Sequence, residues 1–391
     1  MKVAYILPIS WGAIPHYTAE LANAVSKYAS VVVLKPKDYN TRLFSDNLKI
    51  IEAFEPLEFS RIRPITVFSP KNLLNFSSYR KVKLIEEERV DIVHFPELYP
   101  HATIFTFLYQ IHKKMPVVVT LHSVRSLSHL LMMQSNLTYR AVSFITEITK
   151  RLLRPQRVIV QTRQHKEILV KRGIAPQRVN IIPQPIFTIF KNFETIKNGR
   201  EVKENSVLLF GYLSPEKGIE DLIKATPLIA RDVPNIKIII AGEGDFTQYS
   251  KLIKDWSIFE VYNEYMPDEK VAELFNRAKV VVLPYRKSKG YSGSHSGVLS
   301  VALSYGKALI VTDVGQFEII KDGVECLKIP PRNPQALAEA VVKILKDDKL
   351  RDSLSKNALK KAEELSPDNI AKMHVKVYEE VLNEWRKRNQ N

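Results

Sequence analysis

Two short segments of this sequence combine residue types suited to holding a phosphate. The first, Phe210-Gly211-Tyr212-Leu213-Ser214-Pro215-Glu216-Lys217-Gly218, joins an apolar run to an amphipathic one. Gly211 permits a tight turn, Ser214 is a candidate N-cap, and Pro215 suits the first position of a helix. That alignment puts Lys217 in the first helical turn. A cation there opposes the helix dipole unless an anion shares the site. An ordinary capped helix with a solvated lysine is the plainer reading of the same residues. The second segment, Tyr291-Ser292-Gly293-Ser294-His295-Ser296-Gly297-Val298, also precedes a helical pattern. Its small residues can form a nest of backbone N–H donors, and Ser294 and Ser296 add hydroxyls. Arg286, Lys287 and Lys289 lie just upstream and add positive potential. Alone it also reads as a plain connecting loop. Two anion-suited turns in one half of the chain favour the binding reading.

Three histidines fall where strands end. His16 lies in the turn Trp11-Gly12-Ala13-Ile14-Pro15-His16-Tyr17, His94 near the end of an apolar run, and His122 directly after another. Such positions suit hydrogen bonding or proton transfer, and each histidine alone reads equally well as a satisfied structural residue. They lack metal-ligand spacing on one element and no carboxylate cluster accompanies them, so no metal site is expected.

The elements that must carry these residues follow from the apolar pattern. Runs at 3–7, 31–34, 65–68, 92–95, 117–121, 158–161 and 180–182 read as strands, several buried on both faces. Amphipathic stretches at 17–27, 73–88 and 165–172 read as helices. The pattern pauses over 183–203, which reads as a linker. It then resumes with strands at 207–210, 237–241, 280–283, 309–312 and 325–329. Helices are expected at 216–229, 268–276, 298–305, 334–346 and 350–365, with a last one at 367–388. Two doubly wound α/β halves result, expected to face one another across a cleft at the carboxyl ends of their strands. The expected boundaries are 1–190 for the first domain, 191–365 for the second, and 366–391 for a final helix returning to the first.

Composition limits the classes open to the chain. Of its 391 residues 45% are apolar and 26% charged, which excludes a disordered chain, a collagen-like fibre and a multi-span membrane protein. The balance of 58 basic against 42 acidic residues gives a net charge of +16, which favours an anionic partner. The single cysteine, Cys326, excludes an intrachain disulfide and a cysteine zinc site. The start MKVAYILPISWG reads as a buried strand rather than a signal peptide, and no apolar run is long enough to span a bilayer. A cytoplasmic protein is expected. The segment 130–154, apolar with Arg140, Lys150, Arg151 and Arg154 towards one end, has two readings. One is a core-packed helix with a solvated basic end. The other is a helix lying on the inner, anionic face of a membrane, which makes the protein peripheral. No nucleic-acid motif is present and none is expected to bind.

At this point the sequence resembles a family. The paired halves, the Gly211–Gly218 turn, the stretch Ala302-Leu303-Ser304-Tyr305-Gly306-Lys307-Ala308-Leu309-Ile310-Val311-Thr312-Asp313-Val314-Gly315, the segment Thr120-Leu121-His122-Ser123 and Gly242-Glu243-Gly244 are similar to GT-B fold glycosyltransferases, the retaining family 4. That resemblance implies an α/β GT-B fold and transfer of a hexose-type sugar from a nucleotide-diphosphate sugar to a saccharide or lipid-linked acceptor. It further implies retention of configuration, no metal and no cofactor. Lys217 resembles the lysine that meets the donor diphosphate, and Gly12 the glycine that approaches the phosphates. Ser294, His295, Ser296, Gly297 and Val298 resemble the loop that binds the diphosphate, in a Ser-x-Ser-Gly-Val form. His122 resembles the histidine at the donor sugar. Tyr212 stands where relatives often carry an arginine, and Tyr265 and Met266 where the nucleobase pocket is lined. His16 and His94 are placed on the acceptor side. Two glutamates common in relatives are replaced by Gly293 and Val301. The alternatives are a sugar-nucleotide-binding or scaffold protein without catalysis, or another GT-B enzyme such as a sugar-nucleotide epimerase.

Overall fold

The computed structural model describes residues 1–10, 12–57, 70–125, 153–193, 204–286, 291–293 and 296–390. The chain forms two compact α/β units. The first comprises Met1–Pro185, Gly290–Ser294 and Pro367–Asn391, and the second comprises Ile186–Lys289 and His295–Ser366.

The first unit is built on seven parallel strands. They are β1 (Lys2–Ile6), β2 (Ser30–Pro36), β3 (Lys49–Phe54), β4 (Ile92–Phe95), β5 (Val117–Leu121), β7 (Arg157–Val160) and β8 (Val179–Ile181), in the order β3-β2-β1-β4-β5-β7-β8. Strand order reverses between β1 and β4, which opens a crevice at their carboxyl ends. A short strand, β6 (Ser123–Arg125), continues beyond β5 and pairs antiparallel with β13 (Tyr291–Gly293). The second unit has six strands in the order β11-β10-β9-β12-β14-β15. These are β9 (Ser206–Phe210), β10 (Lys237–Ala241), β11 (Phe259–Tyr262), β12 (Val280–Leu283), β14 (Ala308–Thr312) and β15 (Cys326–Ile329). Here the order reverses between β9 and β12.

Each core sits between sheet and helices. In the second unit Val207, Leu209, Ile238, Ile240, Val282 and Ile310 pack with Leu222, Leu337 and Val341 from the helices Ile219–Asp232 and Pro334–Lys346. The runs read as doubly buried are so: β4, β5, β12 and β14 are buried at every position. Strands β3 and β11 were not anticipated. Both lie at sheet edges: β11 is only partly covered, β3 is buried only at Ala53 and Phe54, and Glu52 and Glu260 interrupt their apolar runs. The helix expected over 73–88 is instead two helical pieces, Pro70–Phe76 and Leu84–Glu87, joined by a 3₁₀ stretch, Ser77–Lys83. The strand expected at 65–68 lies outside the described residues, as does the segment 130–154 except Leu153 and Arg154. No helix among the described residues is long and apolar enough to cross a membrane.

The last helix, Pro367–Gln390, belongs to the first unit and is joined to it through buried polar side chains. Tyr378 shares hydrogen bonds with Tyr5 (Oη to Oη, 2.9 Å) and with His94 Nδ1 (2.6 Å). His94 Nε2 lies 2.8 Å from Thr120 Oγ1, and His374 Nδ1 donates to the Ile370 carbonyl at 2.9 Å. Tyr5, His94, Thr120, His374 and Tyr378 are all fully buried. Low dielectric strengthens such a network and makes each missing partner expensive. At its far end the helix offers Glu384 to Arg157, with two contacts at 2.5 and 3.1 Å.

Burial holds His374 down at about 4 and His94 well below its ordinary value, so both are neutral in the folded protein. In the unfolded chain they take up protons near pH 6.5. Their contribution to stability is therefore complete above about pH 6.5 and falls as the pH drops towards 4. The slope is up to about 1.4 kcal/mol per pH unit for each histidine. Urea unfolding between pH 7.5 and 4.5 measures it, and His374→Asn is expected to reduce the slope by about one proton.

Candidate functional site

In the second unit the candidate residues gather at the carboxyl ends of β9, β10 and β12. After β9 the chain turns at Gly211, whose N–H donates to the Ala241 carbonyl at 2.9 Å, and the Leu213 N–H donates to the Glu243 carbonyl at 2.8 Å. A Cβ on Gly242 would lie 1.9 Å from the Gly211 carbonyl oxygen, and one on Gly244 2.4 Å from that of Leu213. Only glycine lets these two turns lie side by side.

The turn that carries Lys217 differs from the sequence expectation. Pro215–Lys217 is one 3₁₀ turn, Gly218 is left-handed at φ +72°, and the helix starts at Ile219. Lys217 therefore precedes the helix. Ser214 makes no side-chain cap. The helix start already carries Glu220 and Asp221, which satisfy its dipole. Both carboxylates hold Arg286, with contacts of 2.7 to 2.9 Å. The positive potential assigned to Arg286 is thus neutralised. Its work is structural: its N–H also donates to the Glu216 carbonyl at 2.8 Å, tying the Lys217 turn to the loop after β12.

Tyr285, at the start of that loop, links the two anion-suited segments. The Lys217 ammonium sits 3.8 Å from the centre of its ring, a cation–π geometry. Its hydroxyl shares a 2.8 Å hydrogen bond with Ser296 Oγ. Ser296 is the cap residue of the helix Gly297–Ser304, yet its side chain caps nothing, and no acidic residue lies in the first turn. Half-buried Lys217 has no carboxylate partner among the described residues. An unpaired ammonium and an uncapped helix start, held by one tyrosine, make a place for an anion. Val298 lies against the Gly211 turn, 3.2 Å from where a Cβ on Gly211 would stand. Tyr212 is partly buried, Tyr265 is 59% exposed and Met266 is buried. Ser294 and His295, with Lys287 and Lys289, fall outside the described residues.

In the first unit Gly12 opens the helix Ala13–Val25 at φ +76°, ψ −162°, a conformation glycine adopts without strain. That helix also has no side-chain cap and no acid in its first turn. His16 is buried, with its ring edge-on to Tyr39. His94, placed on the acceptor side by the sequence reading, is instead fully buried with both ring nitrogens engaged, so it offers nothing to a ligand. His122 is different. Its backbone N–H donates to Glu97 Oε2 at 3.1 Å, its Nδ1 lies 3.0 Å from Gln161 Nε2, and its ring meets Tyr17 edge-on at 4.4 Å. With the Gln161 amide nitrogen facing Nδ1, that nitrogen accepts and the ring proton sits on Nε2. Nε2 is buried, and the ring also interacts with the Pro96 carbonyl. Burial pushes the His122 pKa down to about 3, so the ring is a neutral hydrogen-bond donor.

Sequence reasoning missed Tyr285, Gln161, Glu97 and Tyr17. Each is an ordinary residue in a strand-end or helical pattern, and only its place in the fold gives it a role. Among the described residues no group of three His, Cys, Asp or Glu is arranged to hold a metal ion.

Comparison with known proteins meets this geometry. The family model described as Glycosyl transferases group 1 matches residues 190–361, and that described as Glycosyltransferase Family 4 matches residues 16–188. An uncharacterized glycosyltransferase of Methanocaldococcus jannaschii is 26% identical over 97% of this chain and 98% of its own. The phosphatidyl-myo-inositol mannosyltransferase of Mycolicibacterium smegmatis is 24% identical over 78% of this chain and 75% of its own. Among solved structures, Anabaena HepE in complex with UDP and glucose matches with a TM-score of 0.70 at 16% identity, over 97% of this chain and 100% of its own. Sucrose-phosphate synthase of Thermosynechococcus elongatus matches at 0.68 and 19% identity, over 98% and 99%. The fold is GT-B, and the chain belongs to the family 4, group 1 glycosyltransferases.

Proposed function

We propose that this enzyme transfers a hexose-type sugar from a nucleotide-diphosphate sugar to a saccharide or lipid-linked acceptor, with retention and without a metal. The observation that carries this reading is the unpaired Lys217 ammonium held over Tyr285 beside the uncapped start of the helix Gly297–Ser304. Departure of the diphosphate builds negative charge, and a preorganised cation with backbone N–H donors stabilises it. UDP bound in the structural relative HepE supports a nucleotide donor. The departing phosphate oxygen takes the acceptor proton, so no separate base is needed. We assign His122, held neutral just beyond the end of β5, to a hydroxyl of the donor sugar. The reaction belongs in the cytoplasm, at the inner face of a membrane where the acceptor is lipid-linked.

Thermal shift with UDP, GDP, ADP, CMP and dTDP, each with magnesium and with EDTA, tests the donor class. One nucleotide is expected to raise Tm equally in both conditions. A shift that needs magnesium refutes the metal-free reading, and no shift with any nucleotide refutes the donor reading.

Lys217→Ala is expected to lower kcat about 10²–10³-fold with the fold retained. Tyr285→Phe keeps the ring beneath Lys217 and loses only the bond to Ser296, so a smaller loss, about tenfold, is expected. Steady-state rates and circular dichroism check both. Loss of nucleotide binding in Lys217→Ala with no turnover in the unsubstituted chain marks a binding protein instead.

Because His122 stays neutral down to about pH 3, kcat is expected to show no inflection from it between pH 5 and 8. His122→Gln, which retains a donor, is expected to keep more activity than His122→Ala. Equal losses in the two variants refute the hydrogen-bonding role.

A further inference from the structure

A cavity of about 960 Å³ opens on the first unit at the edge opposite His122. Its walls come from the amino ends of the strands: Arg154 and Arg157 precede and begin β7, Arg178 precedes β8, and Lys113 lies in the short helix Ile111–Lys114 ahead of β5. Arg388 and Trp385 close it from the last helix. Five of these side chains are cationic, and no carboxylate is among the described residues lining the cavity. Glu384, just outside, pairs with Arg157 and also acts on Arg388. Lys113, Arg154 and Arg388 have no ion pair or side-chain hydrogen bond among the described residues. Arg178 is half-buried and donates to the Pro155 carbonyl. Burial, then the charges of Arg388 and Arg157, pull its guanidinium below the ordinary arginine value. Arg157 is 7% exposed, and its Nε is buried without a partner.

A flat basic face attracts a membrane or any polyanion through long side chains in water. Here the charges line a concave space of small-molecule size, and Arg157 is too deep to reach a plane. Crowded guanidinium groups of one sign repel, and a multiply charged anion with several oxygens relieves that repulsion through charge-assisted hydrogen bonds. We propose that this cavity is a second, non-catalytic site for a small soluble ligand bearing a multiply charged phosphate, with Arg178 and Arg388 as its principal cations. Its location at the amino ends of the strands puts it at the opposite end of the first unit's sheet from His122, so it stands or falls independently of the transfer reaction.

Trp385 supplies a local reporter. In the full chain with Trp11→Phe and Trp256→Phe, titration with inorganic pyrophosphate is expected to change Trp385 fluorescence saturably. Sodium chloride at matched ionic strength is expected to leave it unchanged. Arg178→Gln with Arg388→Gln is expected to weaken the response at least tenfold. Arg388→Gln alone, a change at an exposed position, is expected to weaken it several-fold with an unaltered circular dichroism spectrum. No saturable response, or the same curve in the Arg388→Gln variant, overturns the proposal. A response to phosphatidylglycerol vesicles but not to pyrophosphate also overturns it, in favour of a membrane contact.

Discussion

The candidate donor site depends on a place where two stretches of backbone almost touch. A Cβ on Gly218 would lie 1.9 Å from the Pro284 carbonyl oxygen, and the residue's φ of +72° is one that other residues adopt at a cost. Because no side chain intervenes, the turn bearing Lys217 rests directly on the end of β12. Tyr285 follows Pro284, so the same approach sets the aromatic ring beneath the ammonium. Gly242 and Gly244 bring the turn after β10 equally close to the turn after β9. Three strand ends are thereby packed backbone to backbone. The side chains then have a short list of tasks, and a few polar contacts suffice to fix them.

Most of the architecture was legible because a parallel strand buried on both faces reads as a short β-branched run. Val117–Leu121 and Val280–Leu283 are such strands, and their bounds follow from composition alone. Edge strands carry less signal, which is why Lys49–Phe54 and Phe259–Tyr262 went unread. The site was half legible. Lys217 and the Ser296-Gly297-Val298 turn stand out by type and spacing. Tyr285 does not, because an aromatic residue after a strand is more often core than site. The start of the helix after Lys217 was misplaced because Pro215 and Ser214 signal a cap that serves a single 3₁₀ turn. His94 was misassigned for a related reason. Position at a strand end says nothing about what covers it, and the covering residue, Tyr378, lies 284 residues away.

The histidines show how burial redirects one side chain to several ends. His94 and His374 are held neutral and fully engaged, so they act as fixed hydrogen-bonding parts of a core. His122 is held neutral by the same desolvation, with its ring between Gln161 and the Pro96 carbonyl. Core and candidate-site histidines therefore share the pKa direction, and their place in the fold separates them. The lone cysteine follows the same physics: burial pushes the Cys326 thiol up to about 12, which leaves it unreactive.

The discontinuous first unit has a consequence for how the molecule is made. All seven strands of its sheet have been synthesised by Ile181, yet the helix that completes its core starts at Pro367. The second unit ends at Ser366, so every one of its residues is synthesised before that helix begins. Until then the first unit lacks Tyr378, the partner of the Tyr5 hydroxyl and of His94 Nδ1. During that interval the surface awaiting Ile370, Val377 and Tyr378 is open to solvent or to a chaperone. The order of completion runs opposite to the order of translation.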